Sequence, residues 1–278
     1  MNQFRLERLN AALTREGLDA VLATSIENVH YVSGFFSICR KKIAPSVRIY
    51  SLFVKGEDDP WSIIPVSELP SAYEAGVNME HTVAYGMFPF EYEGNDSICT
   101  ALKEVIDRKV DTPFAALKIF ADRFHLEEDS FAVDYSGLDG DALLQICGSL
   151  GYKSVRDGSS ALLWARRVKD EKELSYLRKA SEIADEAIVK TIKSLRAGMS
   201  EYDAEVIYQQ EILKLGAETT FGVFTFGKRA AFVDTAGSAD NLLQEGDMIR
   251  ADVGCSIHGY NADMSRTGSL GKPREDVM

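Results

Sequence analysis

Two hydrophobic periods alternate along the chain. Near its start, "NQFRLERLNAALTRE" places Leu6, Leu9 and Leu13 at helical spacing with Phe4 nearby, and Gly17 supplies a stop. "DAVLAT" follows as a short buried strand, and "SIENVHYVSGF" as a capped turn of helix running into a loop. "VRIYSLFVKG" and "WSIIPV" read as a hairpin-like strand pair joined by the polar turn "EDDP". "DSICTALKEVID" is helical, "SFAVDYS" extended, and "DGDALLQICGSLG" helical again, ending at Gly151. Strands alternating with helices predict an α/β domain over residues 1–155. The glycines of "GLDGDALLQ" lack the order of a dinucleotide fingerprint and are discounted.

The pattern changes near "YKSVRDGSSALLWARRVKDEKE", where a strand gives way to a charged helix start. "EKELSYLRKASEIADEAIVKTIKSL" then carries an apolar stripe through Leu174, Leu177, Ala180, Ala184, Ile188, Ile192 and Leu195. Ser200 is placed to cap a further helix, "EYDAEVIYQQEILKLG", closed by Gly216. Three strand-like segments follow: "TTFGVFTFGKRAAFV", "LLQEGDMIRADVGCSI" and "YNADMSRTGSL". These segments define a second domain over residues 160–278.

Composition narrows the partners. The 278 residues are 45% hydrophobic and 27% charged, as in a globular protein of one or two domains. A formal net charge of −12, with no basic block, argues against nucleic acid as a partner. No apolar run approaches a membrane span, and the charged, amphipathic N-terminal stretch is not a secretory signal. Cys39, Cys99, Cys147 and Cys255 form no CxxC pair and read as reduced and buried, so a cytoplasmic location is expected.

The candidate chemistry lies in "IRADVGCSIHGYNADMSRTG". Alternation puts Ile249, Ala251 and Val253 on one side of a strand and Arg250, Asp252 and Gly254 on the other. If the segment returns as an antiparallel hairpin, Asp263 joins Asp252 on one face. Two like charges brought together need a shared proton, an Arg or a metal cation. Pairing of Asp263 with Arg266, with Asp252 capping a turn, is one reading; two carboxylates on rigid strands awaiting a divalent ion is the other.

"EGDMIRADVGCSIHGYNADMSRTG" resembles the first metal-ligand segment of the pita-bread metallopeptidases, which include prolidase, aminopeptidase P and methionine aminopeptidase. Asp247, Asp252, Gly254, Gly259, Tyr260, Asp263, Arg266 and Thr267 fall in register with that pattern. "ENVHYVSGF" and "ARRVKDEKELSYLRKASEIADEA" are similar to segments of the two-domain creatinase and prolidase branch. The resemblance implies a creatinase/prolidase-type N-terminal domain followed by part of a pita-bread catalytic domain. It implies Asp252 and Asp263 as ligands of two divalent ions (Mn, Co or Zn), with Tyr260 and Arg266 supporting them from behind. The implied activity is hydrolysis of Xaa-Pro peptides by metal-activated water, on small peptide substrates and in a homodimer.

The chain departs from the family pattern twice. The family's further His and two Glu ligands belong to strands beyond Met278, so the chain is expected to be truncated within the catalytic domain, with metal absent or weakly bound. The family's substrate-binding His, a dozen or so residues before the Gly-Asp turn, is replaced at Asp234 or Thr235. His258, at the hairpin tip, is expected to point into solvent, and His30 to serve packing. Two alternatives to the peptidase follow: a pita-bread module that binds peptide or protein without chemistry, as in a large histone-chaperone subunit, and a creatinase-like C–N hydrolase. The 278-residue chain alone is expected to hydrolyse no Xaa-Pro dipeptide even with added Mn²⁺ or Co²⁺. Turnover that depends on Asp252 or Asp263 in a dipeptide assay would overturn that expectation.

Overall fold

The computed structural model describes residues 1–89, 97–233 and 235–273. The chain divides into two compact units, 1–168 and 169–278. The first unit is built on a mixed sheet of β1 (Ala20–Ala23), β2 (Tyr50–Val54), β3 (Trp61–Pro65), β4 (Thr82–Tyr85), β5 (Phe131–Val133) and β6 (Arg156–Asp157), in the order β4-β3-β2-β1-β5-β6. The β1–β2 and β2–β3 pairs are antiparallel; β3–β4, β1–β5 and β5–β6 are parallel. The helices of this unit are α1 (Gln3–Glu16), α2 (Ile26–Ser33), α3 (Leu69–Glu74), α4 (Ser97–Asp107), α5 (Pro113–Phe124), α6 (Gly140–Leu150) and α7 (Ser159–Arg166).

Helices cover both faces of this sheet, which is why its strands are apolar on both sides rather than alternating. Val21, Ala23, Phe53 and Ile64 pack on one face with Leu9 and Leu13 of α1, Val29 of α2 and Leu162 of α7. Ala20, Leu22, Leu52 and Ile63 pack on the other with Phe114, Leu117 and Phe120 of α5 and Ile146 of α6. The sequence boundary near residues 155–160 falls short of the structural one. α7 belongs to the first unit because Arg8 of α1 donates to the carbonyls of Trp164, at 2.6 Å, and Ala165, at 3.2 Å, and stacks on the Trp164 ring.

The second unit holds α8 (Glu171–Ser194), α9 (Glu201–Lys214) and an antiparallel sheet of β7 (Glu218–Phe226), β8 (Met248–Ile257) and β9 (Tyr260–Ser269), in that order. Both helices start on capping boxes, Asp170 with Glu173 and Ser200 with Asp203. Their apolar faces close on one side of the sheet, burying Ala184, Ile188, Tyr208 and Ile212 against Phe224, Phe226, Ile249, Ala251 and Val253. "KRAAFV", read from sequence as part of a strand, departs from it: residues Gly227–Ala231 form a 3-10 turn. All four cysteines are free, but only Cys255 is fully buried, its thiol on the carbonyl of Ala180; Cys39, Cys99 and Cys147 are half-buried. Among the described residues no helix is long and apolar enough to cross a membrane.

A buried carboxylate ties the first unit together. Asp134, at the end of β5, accepts at Oδ2 from the Thr24 and Ser25 backbone, the Ser25 hydroxyl and the Asn28 amide. At Oδ1 it accepts from Ser136 and from Ser159 of α7. Burial opposes its ionisation, but the donors from Ser136, Ser25 and Asn28 outweigh that and hold its pKa at about 2. The folded value lies below the unfolded value of about 3.9. Its stabilisation is therefore complete above about pH 4 and lost as the pH falls towards about 2, a change of about 2 kcal/mol. Chemical denaturation of the chain between those pH values is expected to show that loss for wild type. Asp134→Asn should be less stable at pH 7, by about 1–3 kcal/mol, and flatter with pH.

Candidate functional site

The site grows from one hairpin. β8 and β9 are joined by His258 and Gly259 alone, with φ of 49° and 82°. Positive φ at both central residues is the type I′ geometry that matches the twist of paired strands, and Gly259 adopts it without a steric penalty. The turn sets the register: Gly254 faces Asp263, Asp252 faces Ser265, and Arg250 faces Thr267. On the other side of β8, Phe221 faces Gly254, Val223 faces Asp252 and Thr225 faces Arg250. Ile249, Ala251, Val253 and Cys255 are thereby buried against the helices, and the polar set lies on the sheet face opposite them.

Asp252 and Asp263 share that face, one diagonal step apart rather than directly opposed. Such a step in an antiparallel ladder spans about 7–8 Å. Gly254 sits between β7 and Asp263 for a reason of space. A Cβ there would lie 2.6 Å from the Phe221 ring, 2.4 Å from the Thr220 hydroxyl and 2.7 Å from the Ala262 carbonyl.

The two carboxylates have different surroundings. Asp252 accepts at Oδ2 from Arg250, at 2.6 Å, and at Oδ1 from the Ser265 hydroxyl, at 3.0 Å. The same guanidinium donates through its other terminal nitrogen to the Phe232 carbonyl, at 2.8 Å. Asp263 is exposed and accepts no hydrogen bond or ion pair from any described residue. Thr225, beside Arg250, is fully buried, and its hydroxyl has no partner among the described residues.

Tyr260 and Arg266 are not brought to the carboxylates. Both occupy the helix-facing side of β9, with Ala262 and Met264. The Tyr260 hydroxyl donates to Glu173 of α8 at 3.1 Å, and Arg266 pairs with Asp185 of α8 at 2.6 Å. The cation beside Asp252 is Arg250, whose place on the same face follows from alternation within β8. His258 is exposed at the tip, its ring 4.6 Å from that of Tyr176.

The segment after β7 hangs on one buried acid. Glu201, the first residue of α9, is fully buried. It accepts from the Phe226 and Ser238 backbone, at 2.8 and 2.9 Å, from the Asn241 amide at 2.7 Å, and from Arg229 at 3.1 Å. Arg229 in turn donates to the Ala236 carbonyl at 2.7 Å. A buried carboxylate is tolerable only when so fully paired. The network holds the stretch that carries Thr235; Asp234 lies outside the described residues.

The donor chemistry of the open face fits a divalent cation in part. Two carboxylates on a rigid sheet are the oxygen ligands that a hard cation takes. Among the described residues no third His, Cys, Asp or Glu gathers with them.

Comparison with known proteins agrees with the fold. Residues 175–278 match metallopeptidase family M24 and residues 5–121 match the creatinase/prolidase N-terminal domain. The chain belongs to the two-domain pita-bread family that combines these parts. An Xaa-Pro dipeptidase of Lactobacillus delbrueckii subsp. lactis is 24% identical over 98% of this chain and 67% of its own length. One from Pyrococcus horikoshii is 28% identical over 51% of this chain and 44% of its own length. The solved Xaa-Pro dipeptidase of Bacillus anthracis superposes with a TM-score of 0.73 at 18% identity, covering 98% of this chain and 66% of its own. The chain spans about two thirds of the length of the curated relatives it matches along its whole extent (65% and 67% for two of them).

Gly254→Ala is expected to destabilise the second unit by about 1–3 kcal/mol, because one contact of the added Cβ is backbone and cannot swing away. Thermal melting of the variant checks this; an unchanged midpoint would show that β8 and β9 are not packed as described.

Proposed function

We propose that the protein is a metal-dependent Xaa-Pro peptidase, of dipeptidase or aminopeptidase P type, acting on small peptides and assembling as a cytoplasmic homodimer. The observation that supports this most is the placing of Asp252 and Asp263 on one open sheet face, within the segment that matches family M24. Relatives carry the name Xaa-Pro dipeptidase along nearly the whole of this chain.

In this reading Asp263, exposed and without a partner among the described residues, and Asp252 would hold the cation. A divalent ion bound there supplies a Lewis acid for a peptide carbonyl and a lowered pKa for water. The Ser265 hydroxyl fixes the rotation of the Asp252 carboxylate by donating to Oδ1. Glu201 ties the end of β7 to the segment after it, through the Phe226 and Ser238 backbone. Where the family's pattern has an imidazole, this sequence has Asp234 or Thr235.

A second reading is a pita-bread module that binds peptide without hydrolysing it. One observation favours it: the Arg250 cation already on Asp252.

The test is an Ala-Pro dipeptide assay of the natural gene product with Mn²⁺. Hydrolysis is expected, and Asp263→Asn should reduce it by more than the roughly 100-fold that loss of a ligand's supporting group costs. Being an exposed substitution, it should leave folding stability within about 0.5 kcal/mol. Tyr260→Phe, on the other sheet face, should retain most activity. Peptide binding without turnover would establish the second reading in place of the first.

A further inference from the structure

Arg250 is held from two sides. One terminal nitrogen donates to Asp252 at 2.6 Å and the other to the Phe232 carbonyl at 2.8 Å. The side chains of Arg250 and Asp252 are only 21% and 24% exposed, so solvent and salt screen their pairing poorly. A guanidinium fixed at both ends has already lost its rotamer freedom and gives up little more by staying. With Ser265 on the remaining oxygen, both oxygens of Asp252 are engaged by the protein's own groups.

Other cations nearby are engaged elsewhere. Arg229 is on Glu201, and Arg266 is on Asp185 beneath the opposite face of the sheet. Among the described residues Arg250 is thus the cation that meets Asp252, and it comes from within β8, two residues before it. With it, the open-face triad of Arg250, Asp252 and Asp263 carries one net negative charge; without it, two. A divalent ion approaching Asp252 competes with a charge built into the same strand.

We infer that Arg250 is a resident counter-cation at Asp252, and that a divalent ion reaches this carboxylate only by displacing it. The inference rests on the metal-peptidase reading and adds to it a residue that sets the threshold of metal loading. Displacement leaves Arg250 its bond to the Phe232 carbonyl, so the guanidinium has a place to go without leaving the site.

Mn²⁺ binding to the 278-residue chain, followed by the loss of the free-ion electron paramagnetic resonance signal, tests this without any assay of activity. Two neutral variants serve: Arg250→Gln, which keeps a donor for the Phe232 carbonyl, and Arg250→Met, which keeps only the stem. Both are expected to bind Mn²⁺ about tenfold more tightly than wild type, the scale of one charge-assisted hydrogen bond. Arg250→Lys, which keeps the charge, is expected to stay close to wild type. Adding Asp252→Asn to Arg250→Gln should erase the gain. Equal or weaker Mn²⁺ binding by folded Arg250→Gln, with binding still dependent on Asp252, would overturn the role of Arg250 and leave the peptidase reading standing. Absence of Mn²⁺ binding in wild type and both neutral variants would overturn the role of Arg250 as well, since its removal would then admit no ion to Asp252.

Discussion

Everything at the candidate site depends on a two-residue turn. With only His258 and Gly259 between the strands, the pairing of β8 with β9 has no slack. Side chains alternate with a period of two, so a slip of one residue would move the whole set from one face to the other. Asp252 or Asp263 would then face Ala184 and Ile188, where an unpaired carboxylate is costly. The apolar set of β8, from Ile249 to Cys255, and the positive φ of the turn residues enforce one register together. The carboxylates are on the open face because nothing else satisfies both constraints.

The acids of the chain show how that face differs from the rest. Asp134 and Glu201 are both fully buried, and both are surrounded by donors drawn from separate elements. They act as fasteners, one for the ends of β1, β5 and α7, the other for the segment after β7. Asp252 is intermediate, paired with one Arg and one Ser. Asp263 faces solvent with no donor among the described residues. Asp134 and Glu201 are enclosed by donors and the pair on the hairpin is less so, a difference that supports the proposal of an added ligand there.

Much of this was legible in the sequence. The long amphipathic run fixed on Leu174, Ala180, Ala184 and Ile188 is α8, and "DAVLAT" and "WSIIPV" are strands of the first sheet. Alternation in "MIRADVG" was enough to separate Arg250 and Asp252 from the core. Carried through the turn, the same period puts Tyr260 and Arg266 on the helix side, which family resemblance alone obscured. The diagonal offset of Asp263 depended on the turn length, and so on reading His258 as able to adopt positive φ. The Arg250 bond to Phe232, and the gathering of Ser25, Asn28 and Ser159 on Asp134, join residues far apart in the chain. No local pattern announces such contacts. The extension of the first unit through α7 was hidden for the same reason, since Arg8 reaches it across more than 150 positions.

The central claim is that β8 and β9 pair so that Asp252 faces Ser265 on the open side of the sheet. Paired cysteine substitutions test it directly. Oxidation of a chain carrying Asp252→Cys and Ser265→Cys should give an intramolecular disulfide, because directly paired strand residues have the Cβ separation that such a bond needs. Asp252→Cys with Met264→Cys should give none, since Met264 lies on the helix side. A disulfide in the second variant and not in the first would mean a register shifted by one residue, and the shared face of Asp252 and Asp263 would be lost.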